Sequence, residues 1–150
     1  MEERGYPPSL KVRRLRPNAS LPHRSTAGAS GLDLFACIDG NGSVALEAKP
    51  KLIGTGIAIE VPVGYDVQVR PRSGFSARGI CVSLGTVDSD YRGEVMVTMH
   101  LLVPGDAFEV KHGDRIAQMV ITRLEELPLV EVDELSPTER GSGGHGSTGK

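Results

Sequence analysis

The sequence predicts an all-β fold, either a sandwich or a barrel, and three observations support this. Apolar and polar residues alternate with a period of two in several short stretches. Turn signals rich in glycine separate these stretches at intervals of roughly ten residues. The chain also holds 19 Gly and 10 Pro in 150 residues, an excess that argues against a helical bundle.

Four stretches alternate most clearly, and each is predicted to be a strand. They are residues 10–13, 32–36, 65–70 and 94–99. The turn signals fall at residues 39–42, 63–64, 104–106 and 112–114. Such short, evenly spaced strands are typical of an antiparallel sandwich or barrel.

Two other stretches can be read as helical. Residues 73–78, SGFSAR, are long enough for about one turn, so we expect at most one short helix. Residues 115–126 have apolar positions that fit either period. The β-branched Ile116, Val120 and Ile121, followed by Pro128, favour a strand there.

The length of the chain suits a single domain. Residues 1–139 are predicted to form it, with a core mainly of Val, Ile and Leu because there is no Trp and only three Tyr and three Phe. Residues 140–150 contain five glycines and no aliphatic side chain. This tail cannot join a core, and we expect it to be mobile without a ligand.

Charge and composition exclude several classes of partner. The net charge of −2 at pH 7 argues against a nucleic-acid partner. No apolar run approaches the roughly 18–20 residues of a membrane span, and the N-terminal residues do not resemble a signal peptide. The two cysteines do not indicate a disulfide framework or a cysteine-based zinc site. A cytoplasmic protein is expected.

The glycine-rich tail, RGSGGHGSTGK, is the first candidate binding site. Consecutive glycines let backbone N–H groups converge on an anion. The spacing from Gly141 approximates a Walker A loop, but Ser147 stands where the lysine is required, so a P-loop is excluded. A disordered Gly/Ser tail fits this composition equally well.

Three further motifs carry polar groups at strand ends or inside strands. In PRSGFS, Arg72 and Ser73 could form a phosphate nest. In GTVDSDYRGEV, Asp88 and Asp90 could bind a divalent ion or supply a general base, although an ordinary hairpin turn is the simpler interpretation. Two polar residues interrupt apolar strands, namely Gln118 in GDRIAQMVI and Asp33 in ASGLDLFA. Such residues most often face solvent or pair with another polar group.

Taken together and in order, these segments resemble the five motifs of the trimeric dUTPase family. They run from about residue 25 to residue 149: ASGLDLFA, PRSGFS, GTVDSDYRGE, GDRIAQMVI and RGSGGHGSTG. The resemblance implies a jelly-roll β-barrel and a homotrimer with three shared active sites. It also implies hydrolysis of dUTP to dUMP and pyrophosphate with Mg²⁺ bound to the triphosphate. That reaction removes dUTP from the DNA precursor pool and supplies dUMP for dTMP synthesis.

The resemblance assigns the nucleoside end of the site to the third motif. Asp88 would activate the water that attacks the α-phosphorus. Tyr91 would pack on the deoxyribose and leave no room for the 2′-hydroxyl of UTP. The uracil edge would be read by the backbone of Leu84, Gly85, Thr86 and Val87.

The other motifs would hold the phosphates. Arg72, Ser73 and Gly74 would come from a neighbouring subunit, Gln118 would contact the α-phosphate region, and Asp33 would act indirectly, through water near the metal. Once the nucleotide is bound, the tail would close over it. The tail residues implied are Arg140, His145, Gly146, Ser147 and Thr148.

The sequence departs from the family pattern in two places. His145 stands where the family usually has a Phe that stacks on uracil, so weaker closure and a pH-sensitive KM are expected. The segment from residue 79 to residue 85 is shorter than in several members and lacks the Asn that many carry there. Recognition of uracil by the backbone is compatible with this change, whereas the individual contacting residues can differ from the family's.

Two other functions are alternatives to dUTP hydrolysis. A dCTP deaminase shares the fold but uses a Glu on the strand after the hairpin, and no acid follows Glu94 within residues 95–100. A non-catalytic trimer that binds nucleotide or a protein would have no need of Asp88 and Tyr91.

Overall fold

A computed structural model describes residues 7–146 and Gly149. Within these residues the chain forms ten strands, one short α-helix and a 3-10 turn at Asp39–Asn41. The elements are β1 (Lys11–Arg14), β2 (Leu32–Phe35), β3 (Ser43–Leu46), β4 (Lys51–Glu60), β5 (Tyr65–Arg70), α1 (Ser73–Ser76), β6 (Ile80–Val82), β7 (Gly85–Val87), β8 (Glu94–Leu101), β9 (Phe108–Lys111) and β10 (Arg115–Arg123). None of the helices in this described part is long and apolar enough to cross a membrane.

The strands form two four-stranded sheets and a separate two-stranded ribbon. The orders are β1-β4-β8-β6, β2-β10-β5-β7 and β3-β9, and every pairing is antiparallel. The inward side chains of both large sheets belong to one apolar cluster that includes Ile57, Val67, Met99 and Met119. This architecture confirms the predicted all-β jelly-roll fold with a single short helix.

The alternating stretches and the short helix are placed as the sequence predicted. In β8, for example, the buried residues Val95, Val97, Met99 and Leu101 alternate with half-buried ones. The ambiguous stretch that begins at residue 115 is a strand through Arg123, as its β-branched residues indicated.

The alternation of apolar and polar residues does not predict five of the strands, namely β3, β4, β6, β7 and β9. The ten-residue β4 is buried along most of its length, so it shows no alternation to detect. The register of β4 against β8 shifts between Gly54 and Ala58. Gly56 lies within this irregularity at a φ of +70°, and a Cβ there would stand 2.7 Å from both the Ala19 Cβ and the Cys37 Sγ. Only glycine allows the loop before Ala19 to approach this closely.

The chain leaves the barrel after β10. No regular secondary structure is assigned from residue 124 to residue 146 in the described chain. The first part of this segment, residues 124–135, is called the arm. It exposes large apolar side chains: Leu124, Leu127, Leu129, Val130, Val132 and Leu135. A domain boundary at residue 139 stays a prediction.

Candidate active site in two parts

The hairpin that carries Asp88 is held by pairing between β7 and β5. Val87 lies opposite Val67, and Gly85 lies opposite Val69. After β7 the chain turns back through a hydrogen bond from the Tyr91 backbone N–H to the Asp88 carbonyl, 3.1 Å long. This turn places the acidic motif at the mouth of a cleft between β7 and β8.

The cleft, called the hairpin cleft here, has a volume of about 240 Å³. Five residues predicted from the sequence lie along it, namely Gly85, Thr86, Val87, Asp88 and Tyr91. The other lining residues are Leu52, Val69, Glu94, Val95, Met96 and Thr98. The predicted contact residue Leu84 is not part of this lining, although its side chain is exposed next to it.

Two local features fix the ring of Tyr91. Its hydroxyl donates a hydrogen bond of 2.9 Å to the backbone carbonyl of Glu94. A Cβ at Gly93 would overlap that hydroxyl, so the ring can lie over residue 93 only because this residue is glycine. The tyrosine is nonetheless 45% exposed, which leaves the ring available to a ligand in the cleft.

Asp88 is exposed, and within the described residues no side chain donates a hydrogen bond to its carboxylate. A carboxylate free of internal partners can accept a proton from water, as a general base must. Asp90, two residues along, is also exposed and does not line the cleft. Within the described residues, no group of three or more His, Cys, Asp and Glu side chains is placed to hold a metal ion.

A second set of predicted residues lies beyond the other end of β5, around α1. Arg72 donates from Nη1 to the carbonyl of Arg115 over 2.9 Å, and its guanidinium lies 5.4 Å from the centre of the Phe75 ring. The Ser73 side chain and Gly74 are exposed at the start of this single helical turn. The Arg72 side chain is half-buried, and these contacts hold its guanidinium in one orientation.

Strand β10 brings the first and fourth motifs to the same place. Gln118 lies opposite Arg70 on one side and opposite Asp33 on the other. Its amide nitrogen donates to the carbonyl of Pro71 over 3.1 Å. A Cβ at Gly31 would overlap the Gln118 side chain, which explains the need for glycine in ASGLDLFA.

The carboxylate of Asp33 forms an ion pair with Arg115, at 3.3 Å between Oδ2 and Nη1. We call the set Arg70, Arg72, Arg115, Asp33 and Gln118 the arginine end. No functional role for Arg70 or Arg115 is predicted from the sequence. These arginines lie beside Gln118 and Asp33 only because of the strand register, and the sequence does not reveal that register for residues as far apart as Arg115 and Asp33, which are separated by 82 positions.

The hairpin cleft and the arginine end are well separated in one chain. Asp88 follows Val87, which lies opposite Val67 in β5, whereas Arg72 comes five positions after Val67. Because the pairing is antiparallel, Asp88 lies one position further from Arg72 than Val87 does, and six positions at about 3.3 Å each separate the two residues by about 20 Å along the strand. No arginine of the second set lines the hairpin cleft.

The described tail residues make no hydrogen bond to either set. Arg140 donates from Nε to the Gly143 carbonyl within the tail itself, at 2.7 Å. His145 and Gly146 are exposed and both have positive φ, 51° and 84°. The predicted contacts Ser147 and Thr148 lie outside the described residues. Within the described part of the chain, the predicted residues therefore form two separate sets, and no hydrogen bond joins the tail to either.

Comparison with known proteins gives a consistent result. Residues 17–149 match the model of the dUTPase family. The deoxyuridine 5'-triphosphate nucleotidohydrolase of Nautilia profundicola is 46% identical over 94% of this chain and 99% of its own. The protein of the same name from Hydrogenobaculum sp. is 48% identical over 93% of this chain and 97% of its own.

Two solved dUTPase structures share the fold of this chain. A mutant of the Staphylococcus bacteriophage 80alpha dUTPase with dUpNHpp superposes with a TM-score of 0.79 at 26% identity, covering 95% of this chain and 99% of that one. A dUTPase mutant from phage phi11 of S. aureus, described with a structural Mg(II) ion, has a TM-score of 0.78 at 24% identity. It covers 86% of this chain and 99% of its own, and at that identity it supports the fold only.

Proposed function

This chain belongs to the dUTPase family, and from that premise we propose that it hydrolyses dUTP to dUMP and pyrophosphate. The observation that carries the proposal is the hairpin cleft, in which Asp88 and Tyr91 lie on one turn beside exposed β7 backbone. The reaction would remove dUTP from the DNA precursor pool and supply dUMP for dTMP synthesis. A cytoplasmic location stays a prediction from the sequence.

Asp88 is proposed as the general base. Its carboxylate is exposed at the mouth of the cleft and is not engaged by another described side chain, so it can orient a water molecule and accept a proton from it. The water oxygen would attack the α-phosphorus, and pyrophosphate would leave from the opposite side.

The cleft suits a deoxyuridine for reasons of size and polarity. Backbone groups of Gly85, Thr86 and Val87 offer donors and acceptors close to the cleft floor, where a base edge could pair with them. The Tyr91 ring, held by Glu94 and Gly93, would pack on the deoxyribose and exclude a 2′-hydroxyl. The two tests act differently: a 2′-hydroxyl would be excluded by lack of space, whereas a base with the wrong donors and acceptors would leave backbone groups unpaired, which discriminates strongly.

The phosphates are assigned to the arginine end and the tail. Arg72, Ser73, Gly74 and Gln118 would bind them there, with Arg140, His145, Gly146, Ser147 and Thr148 closing over the nucleotide. Charge-assisted bonds from guanidinium groups to phosphate oxygens are among the strongest in proteins.

We propose that Mg²⁺ enters the site bound to the triphosphate. The described residues form no acidic cluster of their own, which fits a metal held mainly by phosphate oxygens, with Asp33 contributing through water. The ion would neutralise charge that develops on the leaving pyrophosphate. The pairing of Asp33 with Arg115 favours this indirect role, because that carboxylate already has a cationic partner.

A homotrimer with shared sites would join the two partial sites. Because about 20 Å of strand separates Asp88 from Arg72 in one chain, we propose that the hairpin cleft of one subunit faces the arginine end of its neighbour. A cyclic arrangement of three identical chains repeats that contact three times and closes the ring.

The exposed arm supports such an assembly. It displays apolar side chains including Leu127 and Leu129, which are 84% and 95% exposed. Its acidic residues Glu131, Asp133 and Glu134 would complement the basic edge strand β1, with its Lys11, Arg13 and Arg14. We propose that the arm packs along β1 of a second copy, beside a groove of about 230 Å³ lined by Val12 and Ile59.

The test is pyrophosphate release by the purified protein with Mg²⁺ and dUTP, compared with dCTP, dTTP and UTP. Release from dUTP alone is the expected result. Release from several of these nucleotides would contradict the roles given to the hairpin and Tyr91. Ammonia from dCTP would indicate a deaminase, and binding of dUTP without turnover would indicate a non-catalytic trimer.

A further inference from the structure

Glu94 lies at the junction between the hairpin and the rest of the barrel. Its backbone carbonyl accepts the Tyr91 hydroxyl, at 2.9 Å. Its carboxylate points the other way, where it pairs with the Arg16 guanidinium at 2.5 Å and accepts the Gly56 backbone N–H at 3.1 Å. One residue therefore connects the ring of Tyr91 to the loop that follows β1.

Arg16 is itself held from a second direction. Its Nε donates to the Cys37 Sγ and its Nη2 to the Cys37 carbonyl, both at 3.4 Å. The hydrogen bond to Cys37, followed by the negative charge of Glu94, raises the pKa of Arg16 despite the opposing effect of burial. The guanidinium thus stays charged throughout the working pH range and ties the end of β2 to Glu94.

This pair is closely packed on one side and borders a cavity on the other. A Cβ at Gly54 would stand 2.7 Å from the Glu94 carboxylate and 3.0 Å from the Arg16 guanidinium. On the hairpin side, Gly93 lets the Tyr91 ring lie flush with the backbone. The side chains of Arg16 and Glu94 are 33% and 20% exposed, and both line a cavity of about 230 Å³. Loss of the Arg16 guanidinium would leave the Glu94 carboxylate with the Gly56 N–H as its remaining described partner and with room to move, so the change would pass to Glu94.

We propose that Arg16 is a positioning residue for sugar selectivity: by fixing Glu94, it fixes the carbonyl that orients Tyr91 over the deoxyribose. The inference rests on the proposed function, since it assigns a role in choosing dUTP over UTP. Arg16 does not line the hairpin cleft, so it would act through Glu94 and not on the nucleotide directly.

The test compares Arg16→Met, Arg16→Lys and a control, Lys51→Met. Methionine keeps much of the aliphatic length without the charge, whereas lysine keeps the charge but not the forked geometry. Lys51 pairs with Glu47 at 3.9 Å and begins the same strand, β4, that contains Gly56. Its loss therefore reports the effect of removing a surface ion pair nearby.

The measured quantity is the ratio of kcat/KM for dUTP to kcat/KM for UTP. Arg16→Met is expected to lower this ratio roughly threefold to tenfold, the range of one coupled polar contact. Arg16→Lys should recover part of it, and Lys51→Met should leave it unchanged. In a Tyr91→Phe background, which removes the hydroxyl, the Arg16→Met substitution should alter the ratio much less.

Three outcomes would overturn the inference. The first is an equal loss of activity toward dUTP and UTP in Arg16→Met, which would indicate a general structural role. The second is a full effect of Arg16→Met in the Tyr91→Phe background, because the two residues would then be uncoupled. The third is the same change of ratio in Lys51→Met. Failure of the unmodified protein to hydrolyse dUTP would instead count against the proposed function, and would be seen before any variant is made.

Discussion

The hairpin cleft and the arginine end present different chemical groups to a ligand. The cleft presents backbone, a tyrosine ring and one exposed carboxylate, with no arginine in its lining. The arginine end concentrates Arg70, Arg72 and Arg115 around Gln118, and among the residues that the structure describes only Arg115 of these three is paired with an acid. A neutral base and sugar fit the first environment, and a triphosphate fits the second.

The contrast gives a reason why the proposed site would need two chains. A carboxylate that must serve as a base is best kept apart from guanidinium groups of its own chain, which would favour its charged form and weaken it as a proton acceptor. Strand β5 keeps the two ends apart in one subunit, and assembly would bring them together only where the nucleotide binds. Four experiments test this division of roles.

The largest effect is expected at the hairpin cleft. Asp88→Asn preserves the shape of the turn but cannot accept the proton of the attacking water, so kcat should fall by about 10²–10⁴ while dUTP binding remains. Steady-state kinetics together with equilibrium binding measures both. Asp90→Asn is the matched control and should retain most of the activity, and near-normal turnover by Asp88→Asn would remove it from this role.

At the arginine end the expected loss is smaller. Arg72→Met removes one charged contact to phosphate, for which about 1.5–3 kcal/mol, or roughly 10- to 100-fold in kcat/KM, is usual. Arg78→Met is the control, since Arg78 lies over the Phe108 ring at 5.2 Å and outside the arginine end. Equal losses in the two variants would show that Arg72 has no special contact with the substrate.

Mixing these two variants tests whether the ends belong to different chains. If a site takes Asp88 from one subunit and Arg72 from another, random co-assembly of Asp88→Asn and Arg72→Met chains restores about a quarter of the sites. Activity should therefore rise well above that of either variant after unfolding and refolding the mixture. A mixture no more active than the mean of its components would place both residues in one chain's site.

The sequence could place Asp88 and Tyr91 together on one turn because the motif that holds them is local. Asp88, Tyr91 and Gly93 lie within six residues, and the turn that joins them is visible in the composition. The strands with alternating burial were predicted for the same reason, whereas the continuously buried β4 gave no periodic signal.

The contacts that depend on strand register were not predicted. Arg115 meets Asp33, and Arg16 meets Glu94, only after the sheets are assembled. No spacing in the sequence distinguishes these four side chains from ordinary solvent-facing charges. The part of the tail that the structure describes makes no hydrogen bond to either end, so its role as a closing segment stays a prediction.

The smallest effect is expected in the tail. His145→Phe should lower the KM for dUTP severalfold, because a phenyl ring offers more area for stacking on a base than an imidazole does. Steady-state measurement of KM checks this, with His145→Ala as the control that removes stacking altogether. An unchanged KM in His145→Phe would mean that residue 145 does not contact uracil.

The exposed arm has a consequence for how the protein behaves when it is scarce. In the proposed trimer, side chains such as Leu129 and Leu135, 95% and 87% exposed in the single chain, would lose contact with water against another copy. The stability of each chain would then depend on the concentration of its own kind, and dilution alone would lower the temperature at which it unfolds. A newly made chain would be at its most vulnerable to aggregation before it meets its first partner.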